Sequence, residues 1–168
     1  MHKISKAAAL SLMLISIAAI SGCHARTGET AASNPNSELP LSEAGLNQVP
    51  LNIQSSQATH AFVVEVAESS AQQAQGLMFR TKLASDKGMI FPFAEDRVAS
   101  FWMKNTVISL DIIFIRRDGT IESIAANTVP YSLAPVRSNG PIATVLEIAA
   151  GRANELGIAP GDTVTWQQ

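Results

Sequence analysis

The residues best suited to chemistry lie in one short stretch, residues 101–111, where an indole, an ammonium, an amide and a carboxylate occur within a hydrophobic run. Trp102 could stack on a sugar or an aromatic ligand, and Lys104 and Asn105 could bind a polar or anionic group. Asp111 could accept hydrogen bonds or a proton. Because polar groups in a hydrophobic strand need partners, this stretch is predicted to be either a ligand site or a buried polar network.

The same residues also have purely structural interpretations. Trp102 is more typical of a core position, with its indole N–H bonded to a carbonyl. Lys104 and Asp111 could form a buried or half-buried salt bridge that fixes strand register. An ionised Asp111 would need donors, which Lys104, Asn105 or the Thr106 hydroxyl could supply. The sequence leaves these alternatives open.

Two more charged residues, Arg80 and Glu147, lie among apolar neighbours. The guanidinium of Arg80 could bind a carboxylate or phosphate, or it could pair with Glu147. Arg80 with Lys104 and Asn105 would make an anion-binding corner, and Asp111 with Glu147 would supply a general acid and a general base. This grouping is a hypothesis, because the sequence does not show that these residues meet.

Composition excludes several classes of function. A net charge of −2 over 168 residues gives no electrostatic footprint for nucleic acid. Cys23 is the only cysteine, which excludes an intramolecular disulfide and a cysteine zinc site. Met78, Met89 and Met103 are soft enough for copper, but no methionine-rich or histidine-rich run accompanies them, so we expect core packing, no metal site and no cofactor.

The N-terminus has the pattern of a targeting segment. Residues 1–22 comprise a basic start and an apolar run too short to span a bilayer comfortably, and they lead into Ile-Ser-Gly-Cys. That tetrapeptide resembles a bacterial lipobox, which predicts lipidation of Cys23; the alternative is an ordinary secretory signal. Residues 23–50 would then be the lipidated cysteine and a flexible tether. In bacterial lipoproteins, whose signal this motif resembles, the residue after the cysteine directs sorting. Because His24 is not Asp, the resemblance predicts the outer membrane, with the domain facing the periplasm.

Residues 51–168 are predicted to form the folded domain. Strands outnumber helices, and their connections are too short for repeated parallel crossovers. We therefore expect a single compact α+β domain, mostly antiparallel and barrel-like, with two or three short helices. The expected strands are residues 60–67, 89–91, 99–104, 110–116, 121–125, 143–148 and 163–166, with helices after Ser69 or Ser70 and at 152–156, a hairpin turn at Asp118-Gly119, and a long loop at 130–141.

Six motifs across residues 62–166 resemble, in order and spacing, those of the family called domain of unknown function 192. Ser109 and Arg117 depart from the pattern, which would favour proline and an acidic residue there. The resemblance implies a compact β-rich fold with short helices, and it implies no activity. The motifs are Gly76-Leu77-Met78-Phe79-Arg80, Gly88-Met89-Ile90-Phe91, Phe101-Trp102-Met103-Lys104-Asn105-Thr106, Leu110-Asp111-Ile112-Ile113-Phe114, Asp118-Gly119 and Val145-Leu146-Glu147-Ile148-Ala149-Ala150-Gly151.

Together these features predict a lipid-anchored envelope domain that binds a small polar or anionic ligand or an envelope glycan. One alternative is an enzyme that uses Asp111 or Glu147 as its general acid or base. Another is a structural module that docks to an envelope protein. The predicted ligand-binding residues are Arg80, Trp102, Lys104, Asn105 and Asp111.

Overall fold

The computed structural model describes residues 39–167. The predicted signal peptide, the lipidation site at Cys23 and the tether up to residue 38 lie outside the described residues. Within the described range, no helix is both long enough and apolar enough to cross a bilayer. The first strand begins at Gln48, slightly before the expected domain start at Leu51.

The described residues form nine strands and two short helices. In chain order these are β1 (Gln48–Gln54), β2 (Thr59–Val66), α1 (Ser70–Gln75), β3 (Lys87–Arg97), β4 (Ser100–Phe101), β5 (Leu110–Ile115), β6 (Ile121–Ala125), β7 (Val136–Arg137), β8 (Ile142–Ala149), α2 (Arg152–Glu155) and β9 (Thr163–Trp166).

Seven of the strands make one sheet, in the order β6-β5-β8-β3-β2-β1-β9. Only the β2–β3 pair is parallel, and β4 and β7 form a separate two-stranded ribbon. The sheet curls into a half-barrel whose edge strands approach each other where Thr120 bridges Thr163. The expectation of a mostly antiparallel, β-rich, compact domain is confirmed. The helices are so short, at six and four residues, that the α+β label applies only loosely.

Alternating side chains of β3, β5 and β8 point to opposite faces of the sheet, as the two-residue period of a strand requires. Two hydrophobic cores result, one on each face. The first core contains Ile113, Leu146 and Ile148, together with residues from the other sheet strands and Ala153 of α2. The second core takes Ile112 and Val145, together with residues from the loops that cover the sheet. The central strands are therefore buried on both faces, which explains their nearly continuous hydrophobic sequence.

Local signals for turns and helix ends are confirmed. Ser69 is the N-cap of α1 and forms a reciprocal capping box with Gln72. Gly157 takes a left-handed conformation after α2, and the N–H of Ile158 folds back to the carbonyl of Ala153. Gly119 has φ +86 in the turn between β5 and β6.

Three predicted boundaries are wrong. β3 does not stop at Pro92, because an irregular register between Pro92 and Arg97 accommodates the missing N–H and pairing resumes at Ile142. The strand expected at 99–104 is reduced to β4, since the chain turns where Thr106 N–H bonds to the carbonyl of Met103. The loop at 130–141 contains β7, whose Val136 and Arg137 pair with β4.

Candidate functional site

Among residues 39–167, Glu147 is the one carboxyl group that is both buried and without a side-chain hydrogen-bond partner. It lies in β8 between Met89 of β3 and Ile112 of β5, with its side chain on the face of the second core. It is 6% exposed and makes no side-chain hydrogen bond to any described residue. Burial raises its pKa to about 8, so the group is mostly protonated at neutral pH.

The carboxyl of Glu147 faces a cleft of about 300 Å³. Among the described residues, no completely sealed polar side-chain atom lacks a hydrogen-bond partner. Since Glu147 has none, its oxygens retain access to the cleft. The cleft lies between the end of α1, the second half of β3 and β4. Its lining residues are Gln73, Ala74, Gln75, Gly76, Leu77, Met78, Phe91, Phe93, Arg97, Ser100, Phe101, Trp102, Thr106 and Glu147.

Aromatic side chains form much of the wall. Phe91 and Phe101 meet edge to face with ring centroids 5.2 Å apart. The guanidinium carbon of Arg97 lies 3.7 Å from the centroid of Phe93, in cation–π geometry. Trp102 is 50% exposed and lines the cleft, so part of its ring is free to contact a ligand.

Gln73 provides a fixed polar group in the wall. Its side-chain nitrogen donates to the carbonyls of Ala67 and Pro92, at 3.1 and 2.9 Å. Both amide hydrogens are thereby used, and the side-chain oxygen remains as an acceptor. The cleft thus combines an aromatic wall with a neutral carboxylic acid, an amide oxygen and one cation, Arg97.

The structure corrects the core interpretation of Trp102 and the ion pair of Lys104. Trp102 is exposed, and the Lys104 ammonium lies 5.1 Å from its ring centroid. Lys104 is also exposed and forms no salt bridge with a described residue. Asn105 is half-buried beside the cleft, with φ 55, and its amide nitrogen lies 3.9 Å from the sulfur of Met78.

Asp111 is fully buried, but its donors are backbone amides. The N–H groups of Asn127, Gly151 and Ala153 donate to it at 2.8, 3.0 and 2.9 Å. Its carboxylate ties the loop after β6 and the start of α2 to the sheet. None of the three donors predicted for it, Lys104, Asn105 and Thr106, bonds to it.

The predicted acid–base pair of Asp111 and Glu147 is wrong. Asp111 is opposite Ile148, and Glu147 is opposite Ile112, in the β5–β8 register. Since successive side chains alternate between faces, the two carboxyl groups lie on opposite sides of the sheet. Asp111 is accordingly absent from the lining of the cleft.

Arg80 is also separated from Glu147. Its guanidinium bonds to Glu65 at 2.8 Å, so the predicted Arg80–Glu147 pair is wrong. It lines a second cleft of about 490 Å³ together with Lys82 and Lys87. Glu65 lines that cleft as well and balances Arg80. No unpaired buried group in that cleft points to a ligand, which makes it the weaker site.

Sequence reasoning missed Gln73 and Arg97. Gln73 lies in the exposed helix α1, and Arg97 follows the irregular stretch after Pro92. Nothing in the local pattern places either residue beside β8. The one usable signal was Glu147 itself, a carboxyl group between Leu146 and Ile148 in a run of otherwise apolar residues. Among residues 39–167, no group of three or more His, Cys, Asp or Glu side chains could hold a metal ion.

The domain resembles two solved bacterial structures over nearly their whole length. Residues 51–166 match the model of the family called domain of unknown function 192, described as "Uncharacterized ACR". A proposed transcription regulator from Sinorhizobium meliloti superposes with a TM-score of 0.70 and 42% identity, over 72% of this chain and 95% of that one. A protein of unknown function from Novosphingobium aromaticivorans superposes with a TM-score of 0.75 and 45% identity, over 83% of this chain and 99% of that one. The domain therefore occurs as an independently folded protein.

A curated archaeal enzyme shares only part of its length with this chain. The 5,10-methylenetetrahydromethanopterin reductase of Archaeoglobus fulgidus is 33% identical over 92 residues, which are 55% of this chain. The match spans 26% of the archaeal protein. The match therefore gives no basis for assigning the activity of the whole enzyme to this chain.

Proposed function

The chain belongs to the domain of unknown function 192 family. From its cleft we propose that it is a binding module, and from the lipobox-like sequence at Cys23 that it is lipid-anchored in the bacterial envelope. The ligand is a small polar molecule, such as a sugar unit of an envelope glycan. The observation that carries this proposal is the buried, unpartnered carboxyl of Glu147 facing an aromatic-walled cleft. Clefts of this kind, with a few convergent polar groups, are the usual form of small-molecule sites.

The composition of the cleft supports a neutral or anionic ligand. A protonated Glu147 donates one hydrogen bond and the Gln73 oxygen accepts one, which suits hydroxyl and amide groups. Arg97 is the only ionised side chain in the lining at neutral pH, so the local charge is positive. The half-exposed ring of Trp102 offers a flat surface on which the apolar face of a sugar can stack.

Calorimetric titration with chito-oligosaccharides and soluble peptidoglycan fragments tests the proposal, using the chain from His24 onward. Replacing Trp102 by Ala should lower affinity about tenfold, because the stacking surface is lost. Trp166→Phe is the matched control, since Trp166 packs on the first core and does not line the cleft. No heat with any probe, or an equal loss in both variants, would refute the proposal.

The pH dependence of binding provides a second readout. Above a pH of about 8 the carboxyl of Glu147 ionises, so it can no longer donate a hydrogen bond and it repels an anionic ligand. Affinity should therefore fall between pH 7 and pH 9. Glu147→Gln keeps a donor without a titrating proton, and its affinity should be constant over that range.

An enzyme with Glu147 as general acid is the second candidate, favoured by the raised pKa of that group. Glycoside hydrolysis in most families needs two carboxyl groups flanking the scissile bond. The lining of this cleft has one, and Asp111 is on the other side of the sheet. Binding is therefore the better-supported activity, and chito-oligosaccharides should be recovered uncleaved after prolonged incubation. Release of shortened products would instead favour the enzyme.

The envelope location is proposed from the lipobox-like sequence that ends at Cys23. Acylation of this cysteine would hold the domain at the outer membrane, facing the periplasm, through stable multi-chain anchoring. In a host with two membranes, Cys23→Ser should abolish incorporation of labelled palmitate and release the protein from the membrane fraction. His24→Asp should keep the label but move the protein to the inner membrane. Palmitate retained in Cys23→Ser would contradict the anchor.

A further inference from the structure

Exposed apolar side chains are concentrated in three loops of this domain. Among the described residues, eight large hydrophobic side chains are exposed, and six of them lie in the segments 76–82, 101–108 and 126–137. We call these six the apolar patch. They are Phe79, Trp102, Val107, Val129, Tyr131 and Leu133. Leu133 and Val129 are 67% and 69% exposed.

Backbone hydrogen bonds join the three loops. The N–H of Phe79 donates to the carbonyl of Asn105, and the N–H of Tyr131 donates to that of Thr106, at 2.9 and 3.1 Å. The N–H of Met103 donates to the carbonyl of Ser132 at 2.9 Å. The six residues therefore belong to neighbouring loops and are not scattered singly over the molecule, where they would need no explanation.

The backbone holds two of these aromatic residues in an uncommon conformation. Phe79 has φ 65 and Tyr131 has φ 61, in the left-handed region that bulky residues seldom adopt. Both side chains are exposed, so no core packing compensates for that conformation. Strain of this kind is concentrated at functional sites. The loops thus hold large apolar groups in water, where a bound partner would cover them.

The charge of the loops identifies the partner's chemistry. The three segments contain four cations, Arg80, Lys82, Lys104 and Arg137, and no acidic residue. Arg80 is paired with Glu65, and the other three form no salt bridge with a described residue. Exposed Trp, Tyr, Phe and Leu surrounded by unpaired cations match the interface of a bilayer with anionic headgroups.

We infer that the apolar patch docks this domain onto the surface of a membrane that contains anionic phospholipid. The patch adjoins the ligand cleft and shares Trp102 with it, and the inference does not depend on acylation of Cys23. The proposed anchor is nonetheless compatible with it. Twenty-four residues lie between Cys23 and Gln48, the first residue of β1. A chain of that length extends to about 80 Å, enough for any face of a small domain to reach the bilayer.

Co-sedimentation with lipid vesicles tests the inference, using the non-acylated chain from His24 onward. Wild type should bind phosphatidylglycerol–phosphatidylcholine vesicles about tenfold more tightly than pure phosphatidylcholine vesicles. The double variant Val129→Asp/Leu133→Asp should lose at least about tenfold in binding to the anionic vesicles, because two apolar contacts become anions. Ser56→Asp/Gln57→Asp is the matched control, because it adds two anions at exposed positions between β1 and β2, outside the three loops and outside both clefts.

Two further measurements keep the test decisive. The variants should show wild-type melting temperatures, because the substituted side chains are exposed. Lys82→Gln/Lys104→Gln should weaken anionic vesicle binding about tenfold, because two cations that form no salt bridge with a described residue are removed. The inference is overturned if wild type binds neither vesicle, or if Ser56→Asp/Gln57→Asp weakens binding as much as Val129→Asp/Leu133→Asp. A wild-type dimer that Val129→Asp/Leu133→Asp dissociates, without vesicle binding, would assign the patch to a second copy of the chain.

Discussion

At the scale of single residues, Glu147 sets the main chemical constraint. A carboxyl group in the middle of a buried strand must be paired or protonated, because an unpaired buried charge is very costly. This one has no partner among the described residues, so it is protonated, and its pKa is raised to about 8 by burial. The folded protein therefore holds a proton that the unfolded chain releases near the ordinary pKa of 4.5.

This difference predicts a loss of stability as the pH rises. The contribution of Glu147 is fully present below pH 4.5 and is lost as the pH rises to about 8, because only the folded state stays protonated over that range. The free energy of unfolding, measured by urea titration, should fall by up to about 5 kcal/mol across that range. Glu147→Gln should remove this slope, while Glu43→Gln makes the same chemical change on an exposed loop and should follow wild type. An unchanged slope in Glu147→Gln would contradict the assignment.

Substitutions at Asp111 and Lys104 test whether these two residues interact. Asp111→Asn should lower the free energy of unfolding by about 1 to 3 kcal/mol, because one of three backbone N–H groups then faces an amide nitrogen. Lys104→Met should change it by no more than about 0.5 kcal/mol, since Lys104 is exposed and unpaired. A double-mutant cycle should show no coupling between them. Coupling above about 1 kcal/mol would restore the ion pair that the sequence suggested.

Residue types alone identified the polar positions but not their partners. Glu147 and Asp111 were both recognised as carboxyl groups in apolar surroundings. Whether they meet depends on the register of β5 against β8, which places Ile112 opposite Glu147. Neither strand carries a local signal for that register, because both are hydrophobic on both faces. The core interpretation of Trp102 follows from the strand expected at 99–104, whereas the chain turns after Phe101 and exposes the ring.

At the scale of elements, β3 and β8 position the cleft, and Gly88 allows them to approach. A Cβ atom at Gly88 would lie 2.5 Å from the carbonyl oxygen of Glu147, which belongs to the backbone and cannot swing away. Gly88→Ala should therefore force the strands apart and lower the free energy of unfolding by about 2 to 4 kcal/mol in urea titration.

Gly140→Ala is the control for that substitution. The nearest atom to a Cβ there would be a Glu122 carboxyl oxygen at 3.7 Å, an ordinary contact, so stability should change by no more than about 0.5 kcal/mol. Equal effects in the two variants would mean that the glycines matter through the unfolded chain and not through strand contact.

Elements defined by local chemistry were predictable, and those defined by pairing were not. The capping box of Ser69, the left-handed Gly157 and the Asp118-Gly119 turn each rest on a few adjacent residues. The extension of β3 past Pro92 rests instead on β8, whose Thr144 and Ile142 supply the partners on either side of the irregularity. Proline normally signals a strand end, and only the tertiary partner overrides that signal.

At the scale of the whole molecule, the domain has two hydrophobic cores on the two faces of one sheet. Adjacent residues of β8 belong to different cores, with Val145 in the second and Leu146 in the first. Neither core can lose its packing without exposing strands that the other core also covers. The sheet therefore couples the second core, which adjoins the cleft, to the first core on its other face.

This coupling predicts one cooperative unfolding transition for the domain. Val145→Ala and Leu146→Ala should each lower stability by about 2 to 4 kcal/mol, because both side chains are fully buried. In scanning calorimetry each variant should shift a single peak, with calorimetric and van't Hoff enthalpies equal. Val98→Ala, at an exposed position, should leave that peak in place. The contrary result would be two separable transitions, one moved only by Val145→Ala and the other only by Leu146→Ala. The two cores would then unfold independently, and ligand binding in the cleft could not stabilise the first core.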